Sequence, residues 1–513
     1  MDDKIIVTSR TALKTKYGTA GASKINAAVA ALITADAKRG FKSRLVFLDD
    51  AKMMKRFRAR AADNPKSPRQ NKEAIDAIFR AESPEYLLIL GATDVVPHQD
   101  LANPMFDPPD DPDRHALGDL PYACDAPYSR DVATFKGPTR VVGRLPDLRG
   151  AREPSHLLAL LAIAAKHQSR GVTDYGKYFG LSTASWRNST ELSLFNIFGN
   201  SDALKVSPPT KAAHPAGRLA PLAHFINCHG GDADPSFFGE DAEDDSIQPK
   251  SLTSNGIAGK IRPGTVVAAE CCYGAQLYDS VTLSLPLPIC QRYLIQGAYG
   301  YFGSSTIAYG PAEGNGAADL ITQFFLLAVL EGASLGRAAL LARQRFVQQV
   351  NELDPADLKT LAQFNLLGDP SIHPAKVASA TSIPKGTDVA EAGRQQRRER
   401  RAKLRAVGEF LQATKPTAST KAMGVRKSPT VNQALANIAR EAGIPARKEF
   451  TAFKVKTPPA MRRRGAKAID GAAHYYVAVY RHKGAQADGI RGVAAVAKEV
   501  KGRIVGYRIY AEK

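Results

Sequence analysis

Cysteine is scarce in this chain: five in 513 residues, two of them adjacent at Cys271-Cys272. So sparse and odd a set excludes a disulfide framework and fits reduced thiols, so the question becomes what a thiol would do, not what it would cross-link. Long apolar runs are missing too. No stretch approaches the ~20 uninterrupted apolar residues of a spanning helix. The start, Met1-Asp2-Asp3-Lys4, lacks the basic, apolar and small-residue order of a signal peptide. The expected setting is therefore the cytoplasm, with no membrane span. Disorder is excluded by composition, because 44% of residues are apolar and 23% charged, which gives material for two or three compact domains. No internal repeat appears at solenoid periods.

Acidic residues run short in one region only. Residues 381–513 hold 29 Lys+Arg against 10 Asp+Glu, a net of +19, while residues 1–380 hold 41 against 40. A neutral body suits an enzyme or an interaction domain, whereas a basic tail suits an anionic partner, nucleic acid or an acidic protein.

In the first 375 residues, short apolar runs alternate with stretches of helical periodicity, the pattern of a mostly parallel sheet flanked by helices on both faces. The strand expectations are 4–8, 44–48, 86–90, 139–143, 178–182, 223–227, 265–269 and 298–302. Helices are expected over 23–39, 71–81, 153–167 and 317–330. Residues 103–128, rich in Pro and Asp, read as a long surface excursion. The expected division is an N-terminal α/β subdomain (1–170), a second α/β subdomain (171–375), a basic linker with an amphipathic helix at 391–412 (376–429), and a small basic α+β domain (430–513).

Two places put reactive side chains just beyond the carboxyl end of a strand, where open α/β sheets build active sites. In His-Phe-Ile-Asn-Cys-His-Gly-Gly an apolar run ends at His229-Gly230-Gly231; in Thr-Val-Val-Ala-Ala-Glu-Cys-Cys-Tyr-Gly-Ala another ends at Cys271-Cys272. If the two strands are neighbours, imidazole and thiol share one edge. The imidazole then takes the thiol proton, and the thiolate attacks a carbonyl. Gly230 and Gly274 would let a substrate backbone approach and expose N–H groups to a developing oxyanion. Simpler readings stay open: buried cysteines as small core residues and His-Gly as a turn. Zinc held by Cys228, His229, Cys271 and Cys272 is the rival chemistry, but adjacent residues on an extended strand face opposite ways and do not readily chelate one tetrahedral ion. No metal or cofactor is expected.

These two blocks, an apolar strand ending in His-Gly and a later one ending in Cys with a nearby Gly, resemble the catalytic blocks of caspase-like cysteine peptidases. More of the body is similar to the gingipain-type branch. The blocks are Tyr86-Leu-Leu-Ile-Leu-Gly-Ala-Thr-Asp-Val-Val-Pro97, Asp119-Leu-Pro-Tyr122, Val141-Val-Gly-Arg-Leu-Pro146, Gly297-Ala-Tyr-Gly-Tyr-Phe-Gly-Ser-Ser-Thr306 and Leu366-Leu-Gly-Asp-Pro-Ser371. The resemblance covers residues 1–375 and leaves the basic tail unaccounted for. It implies a caspase-like fold and peptide-bond hydrolysis by a Cys-His dyad, with His229 as the imidazole and Gly230 supplying an oxyanion N–H. The short form Cys-Tyr-Gly selects Cys272 as nucleophile; the longer Cys-x-x-Gly form of some relatives would select Cys271, and Cys272 is preferred.

The chain also departs from that pattern. Gingipains are secreted, and no export signal is seen here. The acid that supports the imidazole in some relatives should follow the strand ending near Ser182, where this chain reads Thr183-Ala-Ser-Trp-Arg187, so no carboxylate is expected there. Glu191 sits where arginine-preferring relatives place an acid in the specificity pocket, and Asp119 is a further substrate-binding candidate. Asp232, Asp234, Glu240, Asp241, Glu243, Asp244 and Asp245 follow His229 and add negative charge, which favours a basic side chain before the scissile bond unless they form a solvated loop. The leading expectation is a cysteine endopeptidase cutting after a basic residue, with Arg394, Arg397, Arg398, Arg400 and Arg401 as a candidate site of self-cleavage. The alternative is an inactive caspase-like scaffold whose C-terminal domain binds nucleic acid or an acidic partner.

Overall fold

Strands form where short apolar runs can be buried on both faces, and in the computed structural model ten such runs make one sheet. The structure describes residues 2–311, 314–377, 389–458, 473–483 and 490–513. The strands are β1 (Lys4–Thr8), β2 (Ser43–Phe47), β3 (Tyr86–Leu90), β4 (Val141–Leu145), β5 (Tyr178–Thr183), β6 (Leu204–Ser207), β7 (Ala223–Asn227), β8 (Val266–Ala269), β9 (Gly300–Ser304) and β10 (Phe364–Gly368). Their spatial order is β2-β1-β3-β4-β10-β9-β8-β7-β5-β6. Every neighbouring pair is parallel except β9–β10. The sheet is thus two parallel halves of opposite direction, and the carboxyl ends of β7, β8 and β9 lie together on one edge.

Helices cover the strands, so that Ile5, Ile6, Val7, Leu87, Leu88 and Ile89 are wholly inaccessible to solvent. Each such side chain contributes about 1.5–3 kcal/mol by leaving water. Helix α1 (Arg10–Lys38) starts at Ser9, whose hydroxyl accepts from Ala12 N–H. It packs on α2 (Ser155–Lys166). Helix α3 (Arg187–Phe198) contacts α4 (Ala317–Leu330), which packs along α5 (Leu335–Gln349). Among the described residues no helix is long and apolar enough to cross a membrane.

Among the expectations that need correction are the strand at 298–302, observed at Gly300–Ser304, and the helix at 23–39, observed to begin at Arg10. Strands β6 and β10 were not anticipated, and β10 makes the sheet mixed. The expected strand 139–143 lies two residues later, because Arg144 is inside β4: its guanidinium is fully buried on Asp119, Gly91 C=O and Val96 C=O. The stretch 103–128 is no surface excursion, since Asp111 makes a fully buried ion pair of 2.5 Å with Lys359, and Tyr122 is inaccessible. Pairing inside the molecule absorbs acids that composition suggests are solvated.

The C-terminal third forms a separate antiparallel sheet. Its strands β11 (Thr417–Met423), β12 (Thr451–Lys456), β13 (His474–Lys483), β14 (Ile490–Val500) and β15 (Arg503–Glu512) follow one another as sequential neighbours. Alternation along the strands gives it two faces. Tyr476, Ala478, Ala495 and Ala497 pack with Val431, Leu435 and Ile438 of helix Pro429–Glu441, while Tyr475, Val477, Val479, Ala494 and Val496 join the core of the body.

Of the expected linker, residues 378–388 lie outside the described residues, as does the side chain of Arg394. The basic helix Val389–Thr414 is docked on the body: Leu411 is buried, Gln344 Nε2 donates to Leu404 C=O at 2.8 Å, and Arg401 donates to Ser83 C=O. Gly408 allows this approach, because a Cβ there would overlap Pro138 C=O. The arginines expected in a cuttable linker are therefore on a helix held against the sheet's first half.

Candidate active site

Strands β7 and β8 are parallel neighbours, with Ile226 opposite Ala269, so the two reactive blocks leave the sheet side by side. His229-Gly230 pairs antiparallel with Phe237 and Phe238, which pair in turn with the strand Lys250–Thr253. That turn brings Glu240 back onto the imidazole. His229 Nε2 lies 2.6 Å from Glu240 Oε2, and both residues are buried. The carboxylate partner of His229 thus comes from the acidic stretch after it, not from the turn after β5. Asp232, Glu243 and Asp244 of that stretch are exposed, so the solvated-loop reading holds for them and fails for Glu240. Sequence alone could not separate one acid from its neighbours, although Glu240 follows an apolar Ser-Phe-Phe-Gly run that could have suggested a returning strand.

With Nε2 committed to Glu240, Nδ1 is the imidazole nitrogen left for proton transfer. The ring packs edge-on against Trp186, centroids 4.3 Å apart. Gly230 sits directly on the second block, where a Cβ would overlap the Cys272 carbonyl oxygen. Beyond Cys272 the backbone turns sharply, with Tyr273 at φ 54°, a left-handed conformation costly for a side chain of that size. The Tyr273 hydroxyl donates to Asp113 at 3.1 Å, so the stretch expected to be a surface excursion reaches the site.

The two adjacent cysteines face different surroundings. Cys271 lies against the strand, its Sγ 4.0 Å from Ile226 C=O, and its thiol pKa is driven far up by burial and by Cys228. Cys272 Sγ accepts from Ala308 N–H at 3.1 Å and lies 4.0 Å from Glu512 Oε1. Burial first, and then the Glu512 carboxylate, push the Cys272 thiol well above its ordinary value. No hydrogen bond links His229 to either thiol among the described residues. Nor do the described residues contain a group of three or more His, Cys, Asp and Glu able to hold a metal ion.

The end of β15 lies against Cys272. Glu512 pairs opposite Tyr309, and Lys513 follows with its main-chain oxygen accepting from Cys272 N–H at 2.8 Å. The Lys513 side chain is fully buried, its Nζ 3.3 Å from Asp319 Oδ1 and 4.4 Å from the centre of the Trp186 ring. Sequence reading assigned no role to Trp186, Glu270, Asp319, Glu512 or Lys513; they come from four distant segments, and only the fold unites them.

The other candidates lie differently. Asp119 is buried in a two-toothed pair with Arg144, at 2.6 and 2.9 Å, which occupies both its oxygens and holds its carboxyl below the usual range despite burial. Its geometry is that of a structural ion pair, not a substrate ligand. Glu191 on α3 is paired with Arg187 one turn away at 2.7 Å.

Fold and site together describe an α/β protein whose mostly parallel sheet presents a thiol, an imidazole and a carboxylate at one edge, beneath the last strand of an added antiparallel sheet. No family model matches the chain, and no curated protein sequence matches it. A solved structure named "Structure of Protease" aligns with it at a TM-score of 0.47 and 14% identity, over 99% of this chain and 97% of that one.

Proposed function

We propose that the protein is a cysteine endopeptidase of the gingipain-like, caspase-like kind, cutting after a basic residue. The observation that carries this is the buried His229–Glu240 pair at 2.6 Å on the strand end whose next residue, Gly230, touches Cys272. Glu240 fixes the ring and its tautomer, as an acid does for a catalytic imidazole elsewhere. In the reaction, Cys272 Sγ gives its proton to His229 Nδ1 and attacks the carbonyl carbon. The oxyanion is held by Cys272 N–H and, on this reading, by Gly230 N–H. Collapse expels the amine, which takes the proton from His229 and leaves a thioester; water, deprotonated by His229, then releases the acid and restores the thiol. Cys271 is the alternative nucleophile, but it lies against Ile226 and Cys228 in the core. The basic C-terminal region, as a second part of this proposal, offers an anionic partner its exposed arginines and lysines.

The test is a positional-scanning peptide library on the full chain and on Cys272→Ala, run also on Lys513→Ala because the Lys513 main-chain oxygen occupies the Cys272 N–H. Cutting after Lys or Arg that is lost in Cys272→Ala is expected, together with a mapped adduct of a lysyl electrophile on Cys272. An adduct on Cys271 would reverse the choice of nucleophile. Absence of cutting and of adduct in every chain would leave the scaffold alternative.

A further inference from the structure

A peptidase substrate makes three contacts at once. Its chain pairs with an edge strand, the carbonyl before the scissile bond points at the nucleophile's N–H, and the side chain of that residue enters a specificity pocket. Residues 511–513 make all three. Strand β15 pairs antiparallel with Tyr309–Gly310, Lys513 N–H donates to Ala308 C=O at 3.0 Å, and Cys272 N–H donates to the Lys513 main-chain oxygen at 2.8 Å. The Lys513 side chain fills a closed slot in which Nζ meets Asp319, Pro311 C=O at 3.4 Å and the face of Trp186.

The slot is built for a long cation. Gly310 leaves the space through which the stem passes, since a Cβ there would overlap Lys513 Cε. Two fully buried carboxylates, Glu270 and Asp319, flank the far end, and Glu270 Oε2 has no hydrogen-bond partner among the described residues. Burial and Asp319 hold Glu270 well above the usual carboxylate range, while Lys513 pulls it the other way. Like charges so placed are stabilised by a cation between them and punished without one. The Asp319 oxygen nearest Nζ also accepts from Ser189 Oγ at 2.7 Å, which fixes its direction.

We infer that Trp186, Glu270, Gly310 and Asp319 form the pocket for the basic residue before the scissile bond, and that Lys513 occupies it in the manner of a bound substrate, keeping the full chain latent. The residue before it completes the block: Glu512, held by Arg481, lies over the thiol. An occupant on the same chain acts at an effective concentration in the millimolar range, enough to exclude dilute peptides. This rests on the peptidase reading for its consequence but not for its pocket.

Trp186 is the sole tryptophan, so its fluorescence reports occupancy without any turnover. The full chain is compared with Lys513→Ala and with Lys513→Met, which keeps the apolar stem should the alanine variant fold poorly. Both variants should change Trp186 emission and cut a lysyl fluorogenic peptide at least tenfold faster than wild type. The free peptide Ile-Tyr-Ala-Glu-Lys should restore the emission and inhibit competitively, and the same peptide ending in methionine should do neither. Adding Asp319→Asn to Lys513→Ala should remove the preference for lysyl over alanyl substrates. Equal cutting by wild type and both variants, with unchanged emission, would overturn self-occupancy and leave the peptidase intact. An emission response to the lysine peptide, with no turnover and no Cys272 adduct in any chain, would uphold the pocket and overturn the peptidase reading.

Discussion

Few residues at the proposed centre tolerate change, and the reasons differ. Gly230 is defined by contact: the Cys272 carbonyl oxygen occupies the place of its Cβ. Gly230→Ala must therefore push the two strand ends apart, costing about 1–3 kcal/mol as overpacking does. Because a displacement of about 1 Å at a reacting centre costs on the order of a hundredfold in rate, peptide turnover in the Lys513→Ala background should fall by about that factor while the chain still folds. Full activity in Gly230→Ala would separate this glycine from the chemistry. Glu240 is defined by charge and direction. Glu240→Gln keeps a hydrogen-bonding oxygen in reach of His229 Nε2 but removes the charge that stabilises an imidazolium, so turnover should drop by up to about 10⁴-fold with thermal stability nearly unchanged. A variant that loses stability and activity together would show Glu240 to be a folding residue.

Elements were legible in proportion to how purely apolar they are. Strands β1, β3 and β7 were read with their observed limits, since runs such as Tyr86–Leu90 and Ala223–Asn227 are buried on every residue. Strand β4 was displaced because a buried arginine interrupts it, and β6 escaped because Leu-Lys-Val-Ser carries no comparable signal. The apolar runs placed the His229 and Cys272 blocks at strand ends, but left open whether the two strands are neighbours, a condition that the register of β7 on β8 meets. Glu240 and the Lys513 slot did not, because which acid a turn brings home, and where a distant strand ends, are set by tertiary packing. The basic helix Val389–Thr414 shows the same limit: its charge was plain, its docking was not. Gly408 is the point of closest approach, and Gly408→Ala would overlap Pro138 C=O and crowd Thr139. A helix must open before a protease can cut it. Trypsin should therefore cleave at Arg397 to Arg401 slowly in wild type and several-fold faster in Gly408→Ala, as read from fragment masses over time. Rapid cutting of both at one rate would show that the helix is not held.

Across the whole molecule, the uneven charge finds partners inside the chain. Lys448 pairs with Asp110 at 2.6 Å, Lys456 with Asp131 at 3.1 Å, Lys498 with Glu352 at 3.0 Å and Arg508 with Asp354 at 3.3 Å, each joining the basic third to the body. Several of these are partly exposed and contribute little each, but together they orient a sheet whose apolar face shares the body's core. Acid should loosen this assembly before its carboxylates titrate, because of buried histidines. Burial lowers the pKa of His98, His156, His224 and His373 to about 4. The unfolded chain carries them near 6.5, so between about pH 6.5 and 4 it binds protons that the folded chain refuses. Stability is therefore full above that window and falls as pH drops through it, by about 1.4 kcal/mol per pH unit for each such histidine. His156 is the cleanest probe, since its Nε2 is buried without a hydrogen-bond partner among the described residues. Replacing it with leucine removes the proton-binding site and leaves an apolar group in its place. Urea unfolding at pH 7 and pH 5 should show wild type losing about 2 kcal/mol more between the two conditions than His156→Leu does. The same loss in both proteins would mean that His156 is charged or hydrated in the folded state, and that the acid sensitivity arises elsewhere in the molecule.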